Sequence, residues 1–158
     1  MIEDQWSPRI NLGTSVLIPE AYVPDLQVRL GLYRRLSHLD SRAELEGFAA
    51  ELHDRFGKPP VEVETLLRVV RVKSLCRRAG IARLDTGPKG ATIQFRSDKF
   101  ADPAGLVDFI HDQRGLAKIR DNKLVIRRSW PEDEDRLKGG FAIVRDLAKI
   151  VKDAKKAA

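Results

Sequence analysis

At Gly80 the hydrophobic pattern of the chain changes period, from about 3.6 residues before it to 2 after it. Upstream, three amphipathic stretches read as helices. The first starts near Pro24 and Asp25, with the proline at an early helical position, and its apolar face draws on Leu26, Leu30, Leu32, Tyr33, Leu36 and Leu39. Ser41 and Glu44 then fit a capping box for a second helix, whose stripe is Leu45, Phe48, Leu52 and Phe56. Gly57 ends that helix with a left-handed residue, and Pro59 and Pro60 forbid its continuation. A third helix spans roughly 61–79, and Gly80 closes it.

Downstream, Ile81 to Thr86, the turn GPKG and the segment ATIQF predict a hairpin, with Ile93 and Phe95 on one face. Asp102 and Pro103 open a short helix that stops at Gly115. A second hairpin follows around Asp121–Asn122–Lys123, with Ile119, Leu124 and Ile126 pointing inward. The acids Glu132, Asp133, Glu134 and Asp135 suit the start of a last helix, which carries Leu137, Phe141, Val144, Ala148 and Val151 and frays in KDAKKAA. Gly139 and Gly140 inside it point to close packing, a kink or a later start. Before all of these, residues 1–23 read as an extended lead-in, with one short strand expected over Thr14 to Ile18; residues 24–158 read as a single domain. Helices segregated from hairpins predict an α+β fold with a small mixed or antiparallel sheet packed on helices, and argue against a βαβ nucleotide-binding fold.

Composition sets bounds on function. The chain has 158 residues, 42% hydrophobic and 33% charged, an ordinary globular balance. No apolar run nears the roughly 20 residues a membrane span needs, and MIEDQWSPR is too acidic for a signal peptide, so a cytoplasmic location and no membrane partner are expected. The single cysteine, Cys76, excludes an internal disulfide and reads as a buried or half-buried thiol. The net charge of +6 admits a nucleic-acid or acidic-protein partner. Arg68, Arg71, Arg77 and Arg78 form the densest basic run, which reads either as a phosphate-contacting stripe or as a solvated helix face.

Phosphate-cradling glycine loops, HExxH and GxSxG are all absent, and His38, His53 and His111 are scattered. No cofactor, metal site or catalytic residue is expected, and an interaction or regulatory domain fits better than an enzyme.

Four segments carry a family likeness: YVPDLQVRLGLYRRL (22–36), ELEGFAAELHDRFGKPP (44–60), the arginine-rich helix with its GI ending (66–81), and the strand 90–95, preceded by INLGTSVLIPEAYVP. Together they resemble the C-terminal domain of the bacterial transcription-repair coupling factors, the Mfd family. The resemblance implies a large parent protein with an ATP-dependent DNA translocase motor. That parent would bind stalled RNA polymerase and recruit the repair protein UvrA through an N-terminal UvrB-like module. With none of the motor's motifs, this chain would be an isolated domain and not itself an enzyme. In the family, the domain folds back on the UvrB-like module and covers its UvrA-binding surface until the motor engages polymerase.

The resemblance also implies a site. Glu51, Asp54 and Arg55, related by three and four positions on the second helix, would contact the UvrB-like module, the two acids meeting its arginines. The plainer alternative is an intrahelical Glu51–Arg55 pair with Asp54 as a bystander. Whether the chain dimerises is left open.

Overall fold

The computed structural model describes residues 6–14 and 16–157. In these residues the chain forms five α-helices, one short 3₁₀ turn and one five-stranded sheet, the α+β arrangement that the change of period at Gly80 predicts. They group into two compact units: Ser15–Ser74, and Met1–Thr14 together with Leu75–Ala158.

The Ser15–Ser74 unit is helical. Helix α1 (Leu26–Leu36) starts two residues later than Pro24 as its first residue would require. Asp25 is its N-cap, its carboxylate accepting from the Val28 amide at 3.0 Å, so Pro24 lies outside the helix. Helix α2 (Arg42–Phe56) starts with the expected reciprocal capping box of Ser41 and Glu44 and ends at Gly57, where φ is +87°. Helix α3 (Val61–Ala79) follows, with most of its length in this unit. The unit's core joins Ile18 and Val23 to Leu32, Leu36, Phe48, Leu52, Val63 and Leu66.

Two expectations fail here. Leu26 and Leu30 are exposed, because α1 turns Leu32 and Leu36 into the core, with Val28 and Tyr33 packed beside them. The strand expected over Thr14 to Ile18 is not formed by Thr14, Val16, Leu17 or Ile18, while Ser15 lies outside the described residues. Val16–Ile18 packs instead as irregular chain, the Ile18 amide donating to the Tyr33 hydroxyl at 2.5 Å.

The second unit is built on the sheet. Strand β1 (Arg9–Asn11) runs parallel to β2 (Ile81–Gly87), β2 pairs antiparallel with β3 (Gly90–Phe95), and β4 (Ala117–Arg120) and β5 (Lys123–Arg127) complete the order β1-β2-β3-β5-β4. Helix α4 (Pro103–Asp112) begins on the Asp102 cap as expected. Helix α5 (Asp133–Ala157) packs against β2 and β3, and α4 packs against β4 and α5.

Along the strands, Leu84, Ile93, Leu124 and Ile126 alternate inward to the apolar face and are almost completely buried. Ile119 shares that face through its pairing with Leu124, yet it is 51% exposed because β4 is an edge strand. The glycine pair of α5 reflects close packing: a Cβ on Gly139 would lie 2.1 Å from the Trp130 ring, and one on Gly140 3.3 Å from Leu12 and Thr86. The helix runs on to Ala157 without fraying at Lys152, since alanine and lysine are good helix formers. Cys76 is fully buried, and burial pushes its thiol up to about 12.

Candidate functional site

The exposed side of α2 carries the cluster of most interest. Glu51 and Arg55 sit one turn apart and pair at 3.0 Å, as the plainer alternative foresaw. The structure adds a third member, Arg35 of α1, which grips Glu51 with both guanidinium nitrogens at 2.6 and 2.8 Å. Such a fork on a carboxylate is stronger and more directional than a single ion pair. Each arginine also lies over a ring, Arg35 above Phe48 at 5.0 Å and Arg55 above Phe56 at 4.9 Å. The cluster is therefore held in place before any partner arrives. Both arginines favour the charged form of Glu51, the Arg35 hydrogen bonds most of all, and bring its carboxyl down to about 2; Arg35 in turn is raised.

Asp54 stands apart. It is exposed and its side chain makes no hydrogen bond or ion pair with any other described residue, although it lines with Glu51, Ala50 and His53 a shallow hollow of about 570 Å³. In the last turn of α2 its charge opposes the helix dipole, so its position brings α2 no stability. Of the three residues named from the sequence, two are brought together and the third is left open beside them. Arg35 was the residue missed. Its only sequence signal is the Arg34–Arg35 pair closing α1, and spacing along one helix cannot show which residue of another it will face.

The end of α2 is finished from outside the helix. The Tyr22 hydroxyl lies 3.1 Å from the Leu52 carbonyl and 2.8 Å from that of Gly57, and its ring packs 5.7 Å from Phe56. Its single proton is shared between the Leu52 carbonyl near the end of α2 and that of Gly57 just past it.

All four arginines of the basic run lie on α3. Arg68 and Arg71 belong to the Ser15–Ser74 unit, and Arg77 and Arg78 to the other. None of the four is without a partner in the chain. Arg77 and Arg78 occupy the last turn of α3, where cations complement the dipole, and border a depression of about 590 Å³ with Trp6, Arg96, Lys99 and Lys155. Among the described residues, no group of three or more His, Cys, Asp or Glu is placed to hold a metal. No helix there is long and apolar enough to cross a membrane.

The TRCF domain family model matches residues 12–106. A transcription-repair-coupling factor of Rickettsia conorii is 44% identical over 125 residues, covering 78% of this chain and 11% of that protein. The one of Escherichia coli K12 is 33% identical over 104 residues, covering 66% of this chain and 9% of that protein. The chain thus spans about a tenth of the length of these relatives. A crystal structure of the C-terminal domain of transcription-repair coupling factor superposes with a TM-score of 0.73 over 94% of this chain and 96% of that one, at 23% identity, a likeness of fold. The chain belongs to the TRCF domain family.

Proposed function

We propose that this chain is the C-terminal regulatory domain of a transcription-repair coupling factor and acts as a releasable clamp. Residues 1–23 lead in from an ATP-dependent DNA translocase motor, and residues 24–158 form a domain with no catalytic role of its own. It docks on the N-terminal UvrB-like module of the same parent and masks the UvrA-binding surface until the motor engages stalled RNA polymerase.

The observation that carries this reading is Asp54, an exposed carboxylate with no partner among the described residues, beside the Arg35–Glu51–Arg55 cluster. Asp54 offers both oxygens to an incoming arginine. Glu51 is already engaged on both oxygens, so it contributes to docking only as its own arginines give way. The guanidiniums of Arg35 and Arg55 are half exposed and keep donors for a partner's carboxylate. A patch of alternating sign recognises its complement while each exposed pair supplies only about 0–1 kcal/mol, which leaves the contact reversible by a motor.

Glu51→Ala, Asp54→Ala and Arg55→Ala, combined in the full-length parent, are expected to leave the fold intact and raise UvrA binding. UvrA binding equal to wild type would remove the patch from the clamp.

A further inference from the structure

The apolar face of the sheet lies under α5; the opposite face is polar and almost entirely of one sign. Register and alternation place six cations on it: Arg9 on β1, Arg83 on β2, Lys118 and Arg120 on β4, and Lys123 and Arg127 on β5. All six are exposed. The strands contribute one carboxylate to this face, Asp85, already bound to Arg83 at 2.7 Å. Arg120 reaches only Asp121 of the adjoining turn, at 3.9 Å, and Arg9, Lys118, Lys123 and Arg127 form no ion pair with a described residue. At a strand spacing of about 4.8 Å, five strands spread these charges over roughly 19 Å. Lys89 extends them past the β2–β3 turn, where it lines with Arg127 a shallow concavity of about 1090 Å³.

Guarding a sheet edge explains a lysine or arginine on β1 or β4. It does not explain Arg83, Lys123 and Arg127 on interior strands, and a face made only for solubility mixes its signs. We propose that this face binds the phosphodiester backbone of a nucleic-acid duplex. A face with four cations that no described carboxylate neutralises needs a partner with regularly repeated negative charge, and arginine forks match phosphate oxygens. A protein partner would be expected to find aromatic or aliphatic anchors, and the only large apolar side chain that the strands turn to this face is half-buried Val125. Without an aromatic ring on it, the face has no means of stacking the bases of a single strand. Recognition is therefore of charge and shape, without sequence preference.

None of the six belongs to the α2 cluster, so the sheet face and the clamp stand or fall separately. The test titrates the 158-residue chain with a labelled random-sequence DNA duplex, read by fluorescence anisotropy at several salt concentrations. Wild type is expected to bind at low salt and to lose about 10³-fold in affinity between about 50 and 200 mM. Arg9→Gln, Lys118→Gln, Lys123→Gln and Arg127→Gln together reduce the slope of log affinity against log salt by roughly 3–4. Lys118→Gln with Arg127→Gln alone, a milder change, reduces it by about 2. A control replacing Lys149, Lys152, Lys155 and Lys156 of α5 by Gln removes the same charge and is expected to retain the wild-type slope. Absence of duplex binding by wild type, including the case in which only an acidic protein binds this face, would overturn the proposal. So would an equal loss in the control, which would make the effect one of net charge.

Discussion

At Glu51 a single carboxylate is held by two guanidiniums, and the consequence is a pH dependence of known sign. Its carboxyl lies at about 2 in the fold against the ordinary 4.5. A depressed acid contributes stability that is complete above about 4.5 and lost as the pH falls through about 2. Because the side chain is still 36% exposed, solvent screening keeps that contribution small. Denaturant melts between these pH values are expected to show the wild type losing stability more steeply than Glu51→Gln; parallel curves would mean the arginines do not act on Glu51 in solution. Asp54, one turn from it, has a side chain that no described residue holds. One residue of the patch serves the fold and its neighbour serves nothing visible within it, which is the reason for assigning Asp54 to a partner.

At the scale of elements, glycines separate helices that need room from helices that do not. Gly47, exposed in the middle of α2, has nothing within 4 Å of where a Cβ would sit. Gly47→Ala is expected to stabilise the chain by about 0.5–1 kcal/mol. Gly139→Ala gains the same propensity but drives its Cβ into Trp130, an overpacking that costs about 1–3 kcal/mol. The two variants should shift the denaturation midpoint in opposite directions, and a stabilising Gly139→Ala would show that the indole moves aside freely.

The same elements show what could be read from sequence. The capping box of α2 and the stops at Gly57 and Gly80 were legible because each rests on residues a few positions apart. Strand β1 was misplaced because three residues, Arg9–Asn11, become a strand only by pairing with Arg83–Asp85, more than seventy positions away. The exposure of Leu26, Leu30 and Ile119 was hidden for a related reason: periodicity names a face, and tertiary neighbours decide how much of it is covered. Arg35 was missed on the same ground, and the cationic sheet face becomes visible only once register aligns strands from three parts of the chain.

At the scale of the molecule, the chain starts in one unit, builds the helical unit over Ser15–Ser74, and returns through α3 to complete the sheet. Each unit carries its own charged surface: a balanced patch of alternating sign on the helical unit, and a positive face on the sheet unit. A clamp built on the first must engage the UvrB-like module directly and through weak, screened charges. The most direct test is calorimetric titration of this chain into the separately purified N-terminal module of its parent. The clamp predicts saturable binding that weakens as salt rises and falls at least about tenfold, or about 1.4 kcal/mol, in the Glu51→Ala, Asp54→Ala, Arg55→Ala variant. Binding of undiminished strength in that variant, or none by the wild type at low salt, would contradict it.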